Sequence, residues 1–380
     1  DSNIKYIDDN TNLFGAANGT ALDSTGDFIS KANVSSINAV RLIYTTPGQA
    51  YHYSGNSPSK ERVSGLVLIP TDTNGNMITN PKGVLLYFHP TTFGKHQVPS
   101  NITSTIDPDP SADNGDYMAY IMASIYASHG YIVVDPDYLG QGVNVDVIHP
   151  YAIYPQTNAL SGIYMLSAAN EFLNQKYPEF SKKLTKLNLF ISSYSEGGAY
   201  AVWASRLLQN EYKDILINNN LNLKMTIGIS GAYDLSGTQV PYAYQNTNNY
   251  ISGENNYNAS PGAKCDVDSL FGAYCKAQIS LANINMAGSK VAIAVYAFTA
   301  FINYEFNNAA YDVFFKNNSN FLTMNNTCID LKTWASPSNG KPISVACPYN
   351  GVSLNSLFTK DIYNGNLLTQ QLYLSAMGAA

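Results

Sequence analysis

The sequence predicts an α/β fold, a mostly parallel central sheet covered by helices on both faces, and three observations carry that expectation. Between residues 62 and 230 short runs recur that are apolar at nearly every position, as strands buried on both faces require. Segments with apolar residues at helical spacing lie between those runs. The two kinds of segment alternate along the chain, and alternation builds parallel sheets from right-handed crossovers.

Taken in order, Arg62–Ile69 (RVSGLVLI) is rich in β-branched residues and stops at Pro70. Gly83–His89 (GVLLYFH) is almost continuously apolar, and Tyr131–Asp135 (YIVVD), Leu187–Ser192 (LNLFIS) and Lys224–Ser230 (KMTIGIS) repeat that character. Asp116–His129 reads as a helix closed by Gly130, a residue suited to the left-handed C-terminal position. Thr157–Tyr177 reads as a helix that ends before Pro178, and Glu196–Gln209 as a helix starting directly after the fourth strand. After Asp234 the character changes to Asn, Tyr and cysteine, with one apolar helix around Val291–Phe306. The expected organisation is therefore a core over residues 1–236, an inserted helical lid over 237–365, and a resumed core over 366–380.

The composition narrows the class of protein. Hydrophobic residues make up 45% of the 380, enough for a sizeable core, while charged residues are only 13%, about half the usual share of roughly 25%. A weakly charged, hydrogen-bonding surface suits an extracellular or periplasmic protein. The formal net charge of -6 argues against nucleic acid or an anionic membrane as partner. The longest apolar stretch, Val291–Ile302, is too short to span a bilayer, so no stable membrane anchoring is expected. The chain opens on the polar stretch Asp1–Asn12, as a secreted protein does once its leader is removed.

Four cysteines, Cys265, Cys275, Cys328 and Cys347, fall in one region. Three pairings are possible. Cys265–Cys275 with Cys328–Cys347 closes the shortest loops; four free thiols are the other reading. No C-x-x-C pair and no nearby histidine favours a metal site there.

Chemistry concentrates at Leu189–Ala199 (LFISSYSEGGA). A strand runs into a serine flanked two residues away on each side by small residues, and a helix follows. A nucleophile elbow needs that pattern, because its strained turn leaves no room for side chains at those flanking positions. Ser195 is the candidate nucleophile. Ser193 stands where glycine is usual, and Gly197 fills the second position. The plainer reading is a serine capping its helix. Ser230, in Gly228–Ala232 (GISGA), is a rival with no clear helix after it. The backbone N–H of Glu196, at the helix start, is a candidate oxyanion donor. A second donor is expected from the loop His89–Gly94 (HPTTFG), with the Thr91 amide preferred and Thr92 next to it. His89, Asp135 and Asp137 read as loop-bracing residues.

These segments resemble the secretory-lipase branch of the α/β-hydrolase superfamily, with its bacterial secreted esterases. Tyr87–Gly94 (YFHPTTFG) is similar to the oxyanion loop, and Asp137–Gly142 (DYLGQG) to the turn after the next strand. His149-Pro150-Tyr151 is similar to a short signature before a helix. Ser193–Gly198 (SYSEGG) is similar to the elbow, and Gly231–Leu235 (GAYDL) to the end of the following strand. The resemblance implies the α/β-hydrolase fold and hydrolysis of carboxylic esters through a Ser195 acyl-enzyme. It implies a small-molecule ester or lipid as substrate, and no cofactor.

The resemblance also implies that an acid and then a histidine follow the serine in the chain. All five histidines, His52, His89, His96, His129 and His149, precede Ser195. Three explanations stay open: acid and histidine lie beyond residue 380, the protein binds a lipid or ester without cleaving it, or an upstream histidine is recruited. For the last, His149 and His96 are the candidate bases, with Asp234 as acid. A turn-forming or capping role is the plainer reading of Asp234. A serine peptidase on the same fold is a further alternative.

Overall fold

A computed structural model of the protein describes residues 4–6, 34–50, 57–92, 98–101, 122, 125–181, 186–233, 300 and 304. Seven strands form one sheet: β1 (Ile4–Tyr6), β2 (Ser36–Pro47), β3 (Lys60–Thr71), β4 (Gly83–Phe88), β5 (Tyr131–Pro136), β6 (Leu187–Ser193) and β7 (Leu221–Ile227). Their order across it is β1-β2-β3-β5-β4-β6-β7. Among the described residues, α1 (Pro155–Lys176), α2 (Pro178–Ser181), α3 (Glu196–Gln209) and α4 (Lys213–Asn218) accompany them.

The sheet is mixed. β4 pairs in parallel with β5 and with β6, and β6 with β7, while β3 runs against both β2 and β5 and β1 runs against β2. Parallel pairing is thus confined to the half of the sheet that ends at the elbow. β1 and the long β2 are strands the apolar-run pattern did not flag. In β2 exposed and buried positions intermingle, with Arg41, Ile43 and Thr45 outward or half-outward and Leu42, Tyr44 and Thr46 inward or half-inward. A strand half open to solvent carries no continuous apolar run.

β4 lies in the middle, buried at all six positions. Its side chains alternate between two clusters. Leu86 and Phe88 join Val134, Ile163, Leu166, Tyr200 and Leu207 beneath α1 and α3, while Leu85 and Tyr87 join Ile37, Leu66, Leu68, Met122, Ala127 and Val133 on the other face. Burial of each such side chain contributes about 1.5–3 kcal/mol, so the strand that leads to Thr91 is held from both sides. Across the parallel pair, Phe88 stands opposite Ser193. The loops after β4 and β6 therefore leave the sheet at one level.

Helix α3 spans the residues the sequence predicts, and α1 starts two residues early because Pro155 fits the first helical turn. The helix expected over 116–129 ends as a 3-10 turn at Ala127–His129. Gly130 closes it with φ 90° and donates to the Ala127 carbonyl; residues 116–121, 123 and 124 lie outside the described set. β7 starts at Leu221 and ends at Ile227, three residues earlier at each end than the apolar run suggests. The chain divides into two compact units, 1–49 with 58–233, and 50–57 with 234–380. Every element above belongs to the first unit. The four cysteines, the resumed core over 366–380 and nearly all of the expected lid lie outside the described residues. Among those residues no helix is long and apolar enough to cross a membrane.

Two carboxyls are buried at the end of β5. Asp137 braces the turn after the strand: Oδ1 accepts from the Ser100 amide at 2.9 Å, and Oδ2 from the hydroxyls of Ser64 (2.5 Å) and Ser100. Asp135 is fully buried with neither oxygen hydrogen-bonded. Burial, and then the nearby Asp137, hold its pKa well above the carboxylate range. Folding therefore takes up a proton at Asp135, and that contribution to stability is lost as pH rises from the unfolded-state pKa of about 4 through the raised folded value. Asp135→Asn is expected to raise the urea midpoint at pH 8 and to lose that advantage towards pH 4. An equal offset at both pH values would contradict a neutral Asp135.

Candidate active site

β6 delivers the chain to Ser195, which adopts φ 54° and ψ −120° as it enters α3. That conformation is costly for a residue with a Cβ, about 1–3 kcal/mol, and it persists because the surroundings fix it. The Ser195 amide donates to the Ile229 carbonyl at 2.8 Å and the Tyr194 amide to the Phe88 carbonyl at 3.3 Å. A Cβ on Gly197 would lie 2.1 Å from the Phe88 carbonyl oxygen, and one on Gly198 would lie 2.6 Å from the Gly231 Cα. Both glycines are there because backbone passes where a side chain would be.

The Ser195 hydroxyl makes no cap hydrogen bond to α3, so the serine does not act as a helix cap. Ser193 fits where glycine is usual because its hydroxyl, 3.2 Å from the Ile227 carbonyl, is spent on the neighbouring strand. Ser230 has a positive φ of 53°, but it sits in a bend with no described helix after it.

At the start of α3 the amides of Ser195, Gly197 and Gly198 all have backbone acceptors. The Glu196 amide has none among the described residues, which leaves it available to a ligand oxygen. The loop after β4 lies against this turn, as the Gly197 approach to Phe88 and His89 requires. Within that loop Thr91 is held through its hydroxyl, 3.0 Å from the Tyr151 hydroxyl, while its amide has no hydrogen bond among the described residues. Thr92 is tied by Gln141, whose Nε2 donates to the Thr92 hydroxyl at 3.0 Å. Ser195, Glu196 and Thr91 thus come together from two adjacent parallel strands.

The histidines fall in different places. His89 is fully buried, with Nδ1 2.8 Å from the Pro90 carbonyl. Burial lowers its pKa to about 4, so the ring is neutral and braces the loop. His129 precedes β5 and lies at the opposite end of the strands from Ser195. His149 has Nδ1 2.6 Å from the Leu139 carbonyl and Nε2 2.7 Å from the Glu196 carboxylate. Both its nitrogens are engaged with buried oxygens of Leu139 and Glu196 rather than with Ser195, which differs from the recruited-base expectation. His52, His96 and Asp234 lie outside the described residues.

No protein-family model matches the chain, and no curated protein matches it. Solved structures do. A Legionella pneumophila protein described as a hydrolase is 20% identical with a TM-score of 0.54, over 94% of this chain and 74% of that one. The rice cell wall degrading esterase LipA from Xanthomonas oryzae is 15% identical with a TM-score of 0.55, over 99% of this chain and 76% of that one.

The chain has the α/β-hydrolase fold.

In open α/β sheets ligands bind beyond the carboxyl ends of the strands, and here the loops after β4, β5 and β6 meet there. What sequence reading missed is the Glu196 side chain. It is buried and bonded to His149 from 47 positions away and to the Tyr200 hydroxyl at 2.5 Å. Its only sequence signal was a glutamate in the helix turn that also holds two glycines and must therefore pack tightly.

Proposed function

We propose that the protein is a serine hydrolase that cleaves carboxylic esters of small molecules or lipids through a Ser195 acyl-enzyme. The observation that carries this reading is the strained Ser195, whose hydroxyl has no hydrogen bond among the described residues, next to the amides of Glu196 and Thr91, which have none among them either. The Ser195 oxygen attacks the ester carbonyl, its proton passes to a base, and the carbonyl oxygen becomes an oxyanion that the two amides stabilise. The alcohol leaves with a proton returned by that base, and water releases the acid. With His149 engaged by Glu196, His96 is the candidate base that remains from the sequence and Asp234 the candidate acid, unless both partners lie beyond residue 380. The esterase LipA, similar in fold, acts on the same kind of bond. Secretion fits the low charge content, and residues 237–365 are assigned as a lid.

Fluorophosphonate labelling of the 380-residue protein, followed by peptide mass spectrometry, tests the reading. Label on Ser195 is expected and places a working base within these residues. Absence of label on folded protein overturns a working base within these residues and leaves either an acid and histidine beyond residue 380 or a protein that binds an ester without cleaving it.

A further inference from the structure

The Glu196–His149 contact is buried on both sides, with 1% and 2% of the two side chains exposed. Burial alone would raise the Glu196 pKa, but the His149 charge and the hydrogen bonds from His149 and Tyr200 bring it below the ordinary value, so the carboxylate is ionised. Each His149 nitrogen then faces an atom that can only accept, the Leu139 carbonyl on one side and the carboxylate on the other.

A desolvated ion pair seldom adds stability over apolar packing of the same volume, so its connections matter more than its energy. Glu196 carries one candidate oxyanion donor on its own backbone. The His149 ring packs edge-to-face on Tyr151, with centroids 5.9 Å apart, and the Tyr151 hydroxyl holds Thr91, which carries the other donor. A second route runs through Tyr138. Its ring stacks on His149 at 6.0 Å and on His89 at 3.9 Å, and its hydroxyl donates to the His89 carbonyl at 2.8 Å. His149 therefore meets both Glu196, which carries one donor, and Tyr151, which holds the other.

We propose that Glu196 and His149 are a positioning pair whose buried contact sets the separation of the Glu196 and Thr91 amides. The assignment rests on the reading of those amides as the oxyanion hole. Neither side chain touches the reacting atoms. Both act through backbone, where a small displacement of one donor removes much of its effect on the transition state.

The test compares Glu196→Gln, His149→Gln, the double variant and Tyr151→Phe with the wild-type protein. Tyr151→Phe cuts the link to Thr91 while leaving the buried charges in place, so it reports even where the charge variants fold poorly. With p-nitrophenyl butyrate, kcat is expected to fall about 100-fold in Glu196→Gln and about 10-fold in Tyr151→Phe, within the range for a lost or displaced donor. KM should stay within about twofold, because the pair acts on the transition state. The double variant should be no slower than the worse single one. Backbone amide exchange at His89 and Thr92, which needs no activity, should quicken in all four. A folded Glu196→Gln or Tyr151→Phe protein with wild-type kcat and unchanged exchange overturns the proposal. If the wild-type protein cleaves no ester, the functional reading fails, and the exchange data decide the positioning alone: quickened exchange upholds it and unchanged exchange overturns it.

Discussion

Ser195→Ala is expected to lower kcat for ester hydrolysis by about 10⁴- to 10⁶-fold, the scale at which other serine nucleophiles fail. The residue that remains keeps the two amides, so a small rate above water persists. The fold should be untouched. The Ser195 hydroxyl makes no cap bond to its helix, and alanine tolerates the φ of 54° no worse than serine does. Thermal unfolding within a degree or two of wild type, together with the loss of rate, is the expected pair of results. A folded variant that still turns over p-nitrophenyl butyrate at the original rate would move the nucleophile elsewhere.

Gly197→Ala should be the most damaging single methyl group in the described core. Its Cβ would meet the Phe88 carbonyl oxygen at 2.1 Å, the Phe88 carbonyl carbon at 2.6 Å and the His89 carbonyl oxygen at 2.8 Å. All three are backbone atoms at the end of a strand packed on both faces, so nothing can rotate aside. The expected loss is about 3–5 kcal/mol, read as a lower urea midpoint with unchanged slope. Gly198→Ala offers the control. Its Cβ would meet Gly231, in the loop after β7, where the chain is freer to give way. The smaller loss belongs to Gly198→Ala; the reverse order would contradict the account of the elbow.

The legible parts of the molecule were those in which local pattern and tertiary demand agree. β4 and β5 read clearly because strands buried on both faces are apolar at nearly every position, and α3 because its helical spacing starts on the residue after Ser195. The elbow was legible as well, since a strained turn restricts its neighbours to small residues. β2 was not, because its antiparallel partners leave some positions in solvent and break the apolar run. The early start of β7 was hidden by Asn222 and Lys224, both exposed. The Glu196–His149 contact left no local trace at all. It joins a helix start to a loop 47 residues upstream, and only the sheet order, which sets β4 between β5 and β6, brings them together. His149 consequently read as a candidate base, a role that any loop histidine near the strand ends could fill.

The two ties that hold the elbow from the β7 side, Ser195 to the Ile229 carbonyl and Gly198 against Gly231, bear on the order of events during synthesis. The serine leaves the ribosome more than thirty residues before the groups that fix its backbone. Its other support, the β4 strand end at Phe88, emerges over a hundred residues ahead of it. Contacts so far apart in the chain form late and together. A nascent chain that stops short of residue 231 lacks the clamp that keeps Ser195 strained, so the turn takes its strained form only once the adjoining strand and the loop beyond it have been made.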